Sequence, residues 1–156
     1  MFKKSIIILL LVCVMVSFSG CVSDWLYELP NDYAISNNAY VTVDFVKITS
    51  RYKGCCTLDI VVESYIHEFS YNEQYVAVKQ FDPEELNFED FNSNDFSTPT
   101  YYFVDTISTT VYGPYETKEE FEFACKEMNV GKLGGWISTR SNPNNRKKWH
   151  VLGINY

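Results

Sequence analysis

Histidine is nearly absent: His67 and His150 are the only two in 156 residues. His67-Glu68 opens an H-E-x-x-H pattern, but Tyr71 stands where the second histidine belongs, so the zinc-protease motif is missing. No C-x-x-C occurs, which removes the thioredoxin and zinc-ribbon spacings. The seven glycines form no phosphate loop, no dinucleotide fingerprint and no G-x-S-x-G elbow. Basic residues are few as well, 13 Lys and Arg against 20 Asp and Glu. Nucleic-acid binding draws on phosphate neutralisation by Lys and Arg, so this balance excludes nucleic acid as a partner. The longest apolar run, residues 6–16, would rise only about 16 Å as a helix against a hydrocarbon core of ~30 Å. A permanent transmembrane anchor is therefore not expected.

That run has a different meaning in its setting. Lys3 and Lys4 precede it and the small residues Ser19 and Gly20 follow, the order of a secretory signal. Phe18-Ser19-Gly20-Cys21 resembles the lipobox of bacterial lipoproteins, with Phe18 where leucine is usual. The resemblance implies removal of residues 1–20 and diacylglycerol on the Cys21 thiol, which becomes the mature N-terminus. Each buried methylene contributes about 0.8 kcal/mol, so two acyl chains hold stably where one holds marginally. The expected location is the cell membrane, lipid-anchored on its extracytoplasmic face. With Lys3 and Lys4 gone, 11 basic residues face 20 acidic ones, a net of −9. Solubility beside a negative envelope accounts for that charge.

After the anchor, residues 21–38 read as a lead-in broken by Pro30, Asn31, Asn37 and Asn38, and residues 39–156 as one α+β domain. Twelve Tyr and eleven Phe favour pleated strands and supply core area. Residues 40–48 alternate as a strand, Val41, Val43 and Phe45 on one face and Tyr40, Thr42 and Asp44 on the other. A polar turn at residues 51–54 leads to a second strand, residues 57–67, with Leu58, Ile60, Val62 and Ile66 on one side and Asp59, Glu63 and Tyr65 opposite. Residues 75–81 give a third, and the three are expected to form an antiparallel meander. Residues 82–99 are an acidic loop. Residues 100–105 and 109–112 make a hairpin that Gly113-Pro114 ends. Thr117 and Glu120 form a capping box for a helix over residues 118–129, with Phe121, Ala124, Cys125 and Met128 on its apolar face and Asn129 and Gly131 as its stop. Residues 136–137 and 149–154 add short strands across a loop at residues 138–148. The fold predicted is a mostly antiparallel sheet with one helix from the C-terminal half packed on it.

Several stretches carry a family likeness. Glu28-Leu29-Pro30, Asn72-Glu73-Gln74-Tyr75-Val76-Ala77-Val78-Lys79-Gln80, Tyr101-Tyr102-Phe103-Val104-Asp105, Val111-Tyr112-Gly113-Pro114 and Glu119-Glu120-Phe121 together resemble a family of small, functionally uncharacterised bacterial lipoproteins, mainly Gram-positive. The similarity runs from Cys21 to about Asn129. It implies the anchor and the strand, hairpin, Gly-Pro, helix pattern, and no catalytic residue.

Candidate chemistry is sparse. Outside the signal and anchor remain Cys55, Cys56 and Cys125. Outside the cytoplasm one disulfide from Cys125 to Cys55 or Cys56 is permitted, leaving a free thiol. Arg51 and Lys53 near Cys55 and Cys56 favour a thiolate there, whereas Cys125 belongs to the apolar helix face. Asp90-Phe91-Asn92-Ser93-Asn94 opens like a calcium loop, but Asp95 replaces the required glycine and Tyr101 the bidentate glutamate. A solvated loop is the expectation, with an irregular cation site of Asp90, Asn92, Asn94 and Asp95 as the alternative. Arg146-Lys147-Lys148-Trp149-His150 is the one basic cluster; solvation or pairing with the acidic loop is expected, with anionic lipid or wall polymer as the alternative. No catalytic residue, metal or cofactor is assigned. The chain reads as a non-enzymatic binding module with an envelope protein as partner. Two alternatives stand beside it: a thiol-dependent redox or hydrolytic envelope enzyme using Cys55 or Cys56, and a self-protection lipoprotein that blocks a secreted toxin or hydrolase.

Overall fold

The computed structural model describes residues 25–37, 43–52, 55–63, 65–81, 99–139, 146–148 and 150–151. In chain order the elements are β1 (Trp25–Glu28), a 3-10 turn (Pro30–Asp32), β2 (Tyr33–Asn37), β3 (Val43–Tyr52), β4 (Cys55–Val62), β5 (Ile66–Tyr71), β6 (Tyr75–Gln80), β7 (Thr100–Asp105), β8 (Thr110–Tyr115), α1 (Lys118–Glu127), β9 (Ile137–Ser138), β10 (Arg146–Lys148) and β11 (His150–Val151). The strands make two sheets, ordered β10-β1-β2-β3-β4-β11 and β8-β7-β6-β5-β9. Among the described residues every pairing is antiparallel except that of β11 with β4. The class is α+β, as predicted.

Burial follows from alternation on three levels. Between the sheets lie Tyr27, Tyr33, Ile35, Phe45 and Val62 from one and Ile66, Phe69, Val76, Val78 and Val104 from the other. Full burial of such side chains contributes roughly 1.5–3 kcal/mol each. The Tyr27 and Tyr71 hydroxyls meet at 3.3 Å beside this core. That bond, with burial and the Tyr27 charge, pushes the Tyr71 phenol up to about 12. On the outer face of the second sheet, Ala77, Tyr101 and Phe103 pack against Phe121 of α1 and Val130. On the outer face of the first sheet, Leu26, Ala34, Val46, Ile48, Cys56 and Leu58 are buried too.

Several sequence expectations change in this frame. The expected lead-in, from residue 25 to residue 37, is strand: β1 and β2 pair in register from Trp25↔Asn37 to Glu28↔Ala34, because Leu26, Tyr27, Tyr33, Ala34 and Ile35 have a core to enter. The predicted second strand divides. Tyr65 takes a φ of 73°, and β4 and β5 fall in different sheets, so the three-strand meander is not formed. Leu58 and Val62 also part company, since the register slips from Phe45↔Val62 to Val46↔Ile60 and the extra residue turns Val62 toward the inter-sheet core. β3 extends through Arg51 and Tyr52 into the expected turn, pairing with Cys56 and Cys55. Asp44, expected on a polar face, is 2 % exposed and pairs in register with the equally buried Ser36, because both faces of this sheet are covered. Tyr40, Val41 and Thr42 lie outside the described residues.

The hairpin and helix agree more closely with their sequence signals. Asp105 accepts from the Ile107 and Ser108 amides at 2.9 and 3.2 Å and closes the β7–β8 turn. β8 continues through Gly113 and a cis Pro114 to Tyr115 instead of ending there. Gly113 is required: its φ is 122°, and a Cβ would lie 2.8 Å from the Tyr101 carbonyl oxygen and 2.9 Å from Tyr102 Cδ1. Thr117 caps α1, accepting from the Glu120 amide at 3.2 Å while the Glu120 carboxylate accepts from the Thr117 amide at 3.3 Å. Asn129 and Gly131, both at positive φ, turn the chain away, and Met128, expected on the apolar face, is 41 % exposed at the C-cap. The expected loop at residues 138–148 contributes Ser138 to β9 and ends in β10, paired with β1.

Candidate functional site

The hairpin and the capping box together fix one surface feature. Thr117 starts the helix directly after β8, so α1 folds back over the second sheet. Phe121 stacks on Tyr101 with ring centroids 5.3 Å apart and meets Phe103 edge-on at 6.2 Å. Phe103 is itself stacked on Tyr112 at 4.7 Å and Tyr115 at 6.0 Å. Aromatic contacts of this kind add about 0.5–1.5 kcal/mol each beyond area, so the helix sits on a stiff bed. Its other side is open. Pro114, Tyr115 and Glu116 on one wall, with Glu120, Phe123 and Ala124 on the other, line a shallow groove of about 570 Å³. Phe123 is 66 % exposed, unusual for a ring of that size on a short polar helix.

Glu116 and Glu120 are the acidic residues of the lining. α1 also carries Glu119, Glu122 and Glu127 against Lys118 and Lys126, and Lys118 is engaged by Glu122 at 3.3 Å. The Glu120 carboxylate is occupied by the amides of Glu116 and Thr117. On the sheet-facing side of α1, burial and the neighbouring Glu122 push the Cys125 thiol up to about 11. Burial, then Cys125 and Tyr112, raise the Tyr115 phenol. Beyond the other side of α1, Trp136 closes over Lys79, whose ammonium lies 4.3 Å from the ring centroid and pairs with Glu68.

A family model for proteins of unknown function, DUF3997, matches residues 30–133. The chain belongs to the DUF3997 family. The DUF3997 span starts at the β1–β2 turn and ends at Leu133, so it takes in the groove, the aromatic bed and both caps of α1. β1 and β9 to β11 fall outside it. No curated protein and no solved structure matches the chain.

The residues singled out from sequence are not gathered in one place. Cys21, Asp90, Asn92, Asn94 and Asp95 lie outside the described residues. Cys56 is buried in the outer face of the first sheet, and Cys125 is a half-buried free thiol on the helix covering the second. Cys125 is therefore bridged to neither Cys55 nor Cys56. His67 packs edge-on against Phe81 at 5.0 Å. His150, by contrast, is paired in register with Cys55 across the parallel β4–β11 contact, a juxtaposition that residues 95 positions apart do not advertise. Among the described residues no group of three His, Cys, Asp or Glu is placed to hold a metal ion. No described helix is long and apolar enough to cross a membrane. The groove itself escaped sequence reading, although Phe123 off the apolar face of a capped helix was its available sign.

Proposed function

We propose that this DUF3997 protein is an exported lipoprotein, held to the outer face of a membrane by lipid on Cys21, whose domain binds an envelope protein through the β8–α1 groove. The observation that carries the binding reading is Phe123, an exposed ring lining the groove with Glu116 and Glu120, on a helix that Phe121 holds to the sheet. Apolar anchor points ringed by charge recognise a segment with an apolar side chain flanked by Lys or Arg. The basic n-region, residues 6–16 and Phe18-Ser19-Gly20-Cys21 support the anchor. A photo-crosslinking residue at Phe123 tests the binding half in live cells: one defined adduct, lost on E116Q/E119Q substitution, is expected. An adduct pattern identical to that from a crosslinker at exposed Thr110 would overturn it. Incorporation of labelled fatty acid, abolished by Cys21→Ser, tests the anchor.

One observation supports a second reading, a thiol-dependent enzyme. The register that pairs Cys55 with His150 brings a nucleophile type and a base type to neighbouring positions. Alkylation of Cys55 with an ionisation midpoint well below the ordinary thiol value, shifted by His150→Gln, would support it. An ordinary midpoint, unmoved by that substitution, would remove it.

A further inference from the structure

We infer that the β10–β1 edge of the first sheet is a membrane-facing surface that docks on anionic phospholipid. The inference deepens the anchored-lipoprotein reading and rests on it. β1 opens at Trp25, four positions after the cysteine that would carry the lipid. Fully extended, four residues reach at most about 14 Å, so the start of β1 is held close to the headgroups on a short leash. The strand hydrogen-bonded to β1 is β10, in the register Trp25↔Lys148, Leu26↔Lys147 and Tyr27↔Arg146. Lys148 is thus placed beside the first residue of β1, and two more basic residues follow along the same edge. β10 is the outermost described strand of its sheet.

The rest of the molecule points the other way electrostatically. The mature chain has 20 acidic residues against 11 basic ones, and three of those 11 are consecutive in β10. An anionic bilayer repels most of such a domain and attracts this edge, so the leash and the charge pattern select the same orientation. A basic residue near an anionic surface gains about 1 kcal/mol, and the gain decays within a Debye length of about 8 Å at physiological salt. Residues on a long flexible tether would sit outside that range on average; residues paired with the first strand do not. The turns at the far end of β1, around Pro30–Asp32, would then face away from the membrane. Sequence alone shows only a basic cluster more than 120 positions from the anchor.

Lysine on an edge strand also discourages further strand pairing, a role indifferent to lipid charge. The two roles separate in an experiment on the wild-type mature protein. The membrane-extracted chain is reconstituted in vesicles of phosphatidylcholine alone, or with about one third phosphatidylglycerol. Amines are acetylated briefly, and acetylation of Lys147 and Lys148 is followed by peptide mass spectrometry, with Lys126 and Lys132 as internal controls. The expected result is acetylation of Lys147 and Lys148 slowed on the order of fivefold by the anionic lipid at low salt, with the controls unchanged and the difference abolished by ~0.5 M salt. Equal rates on both vesicles would overturn the inference. Intact mass of the same sample reports the anchor separately. A lipid adduct with equal rates sinks the docking edge and leaves the anchor standing. Protection without an adduct supports the edge and sinks the anchor, and neither signal sinks both.

Discussion

Asn31 Nδ2 lies 2.7 Å from Thr106 Oγ1, across 75 positions of sequence. The same amide donates to the Glu73 carbonyl at 3.1 Å, and Thr106 passes the chain on to the Gln74 carbonyl. One residue in the β1–β2 turn of the first sheet thereby ties down the β5–β6 and β7–β8 turns of the second. Asn31 reaches them from a left-handed backbone, φ 59°, a conformation asparagine tolerates better than most residues. Asn31→Ala should cost roughly 2–3 kcal/mol, from two lost hydrogen bonds and backbone strain. Asn31→Gly, which loses only the bonds, should cost roughly half that. Urea denaturation of the two variants checks the order; equal losses would mean that backbone strain is irrelevant at this turn.

The turn network also makes a pH prediction. Burial opposes charge on Asp105, but the amides of Ile107 and Ser108 and the Gln74 side chain outweigh it and hold the carboxyl below its ordinary value. A carboxylate that is more acidic folded than unfolded contributes stability above its unfolded pKa, and that contribution is lost as pH falls through the folded value. Wild-type stability should therefore decline more steeply than that of Asp105→Asn below about pH 4. Melting curves at stepwise lower pH measure the difference.

At Cys125 the sign reverses. Its thiol is held up to about 11, by burial first and Glu122 second. The folded state prefers the neutral thiol, so this contribution is complete below the unfolded thiol pKa of about 8.5 and fades as pH rises through the folded value. Iodoacetamide should label Cys125 in the folded protein negligibly at neutral pH, with the rate still climbing at pH 10. A rate that levels off by about pH 9 would contradict the assigned environment.

Gly113→Ala should destabilise by roughly 2–4 kcal/mol, since its Cβ meets the Tyr101 carbonyl oxygen and the φ of 122° is foreign to alanine. The loss should appear in the thermal midpoint of the whole domain, because β7 carries Phe103 in the α1 interface. A midpoint within a degree of wild type would show that the strand shifts freely.

Thr117→Ala removes one half of the capping box and should cost about 1 kcal/mol, with Thr117→Ser close to wild type. Circular dichroism during denaturation checks the ranking.

Local signals were readable wherever neighbours in sequence act on each other. Thr117 and Glu120 announced the helix start, Asn129 and Gly131 its end, and residues 100–105 and 109–112 their hairpin, because each depends on contacts a few residues away. Residues 25–37 depart from the expected lead-in for the opposite reason. Pro30 and Asn31 are true breakers, but they break a two-strand turn whose strands are held by β3 and β10, partners that local sequence does not display. The groove escaped for a similar reason: Phe123 is informative only once α1 is known to lie against β8.

The α+β class, the β7–β8 hairpin followed by a capped helix, and the charge imbalance were written in the chain itself, since they follow from propensity, short-range hydrogen bonding and composition. Which strands share a sheet, why both faces of the first sheet are buried, and that Arg146–Lys148 lies beside the opening of β1 were decided by tertiary structure. Pairing between distant strands depends on which apolar surfaces can be covered at once, and that is a property of the assembled layers.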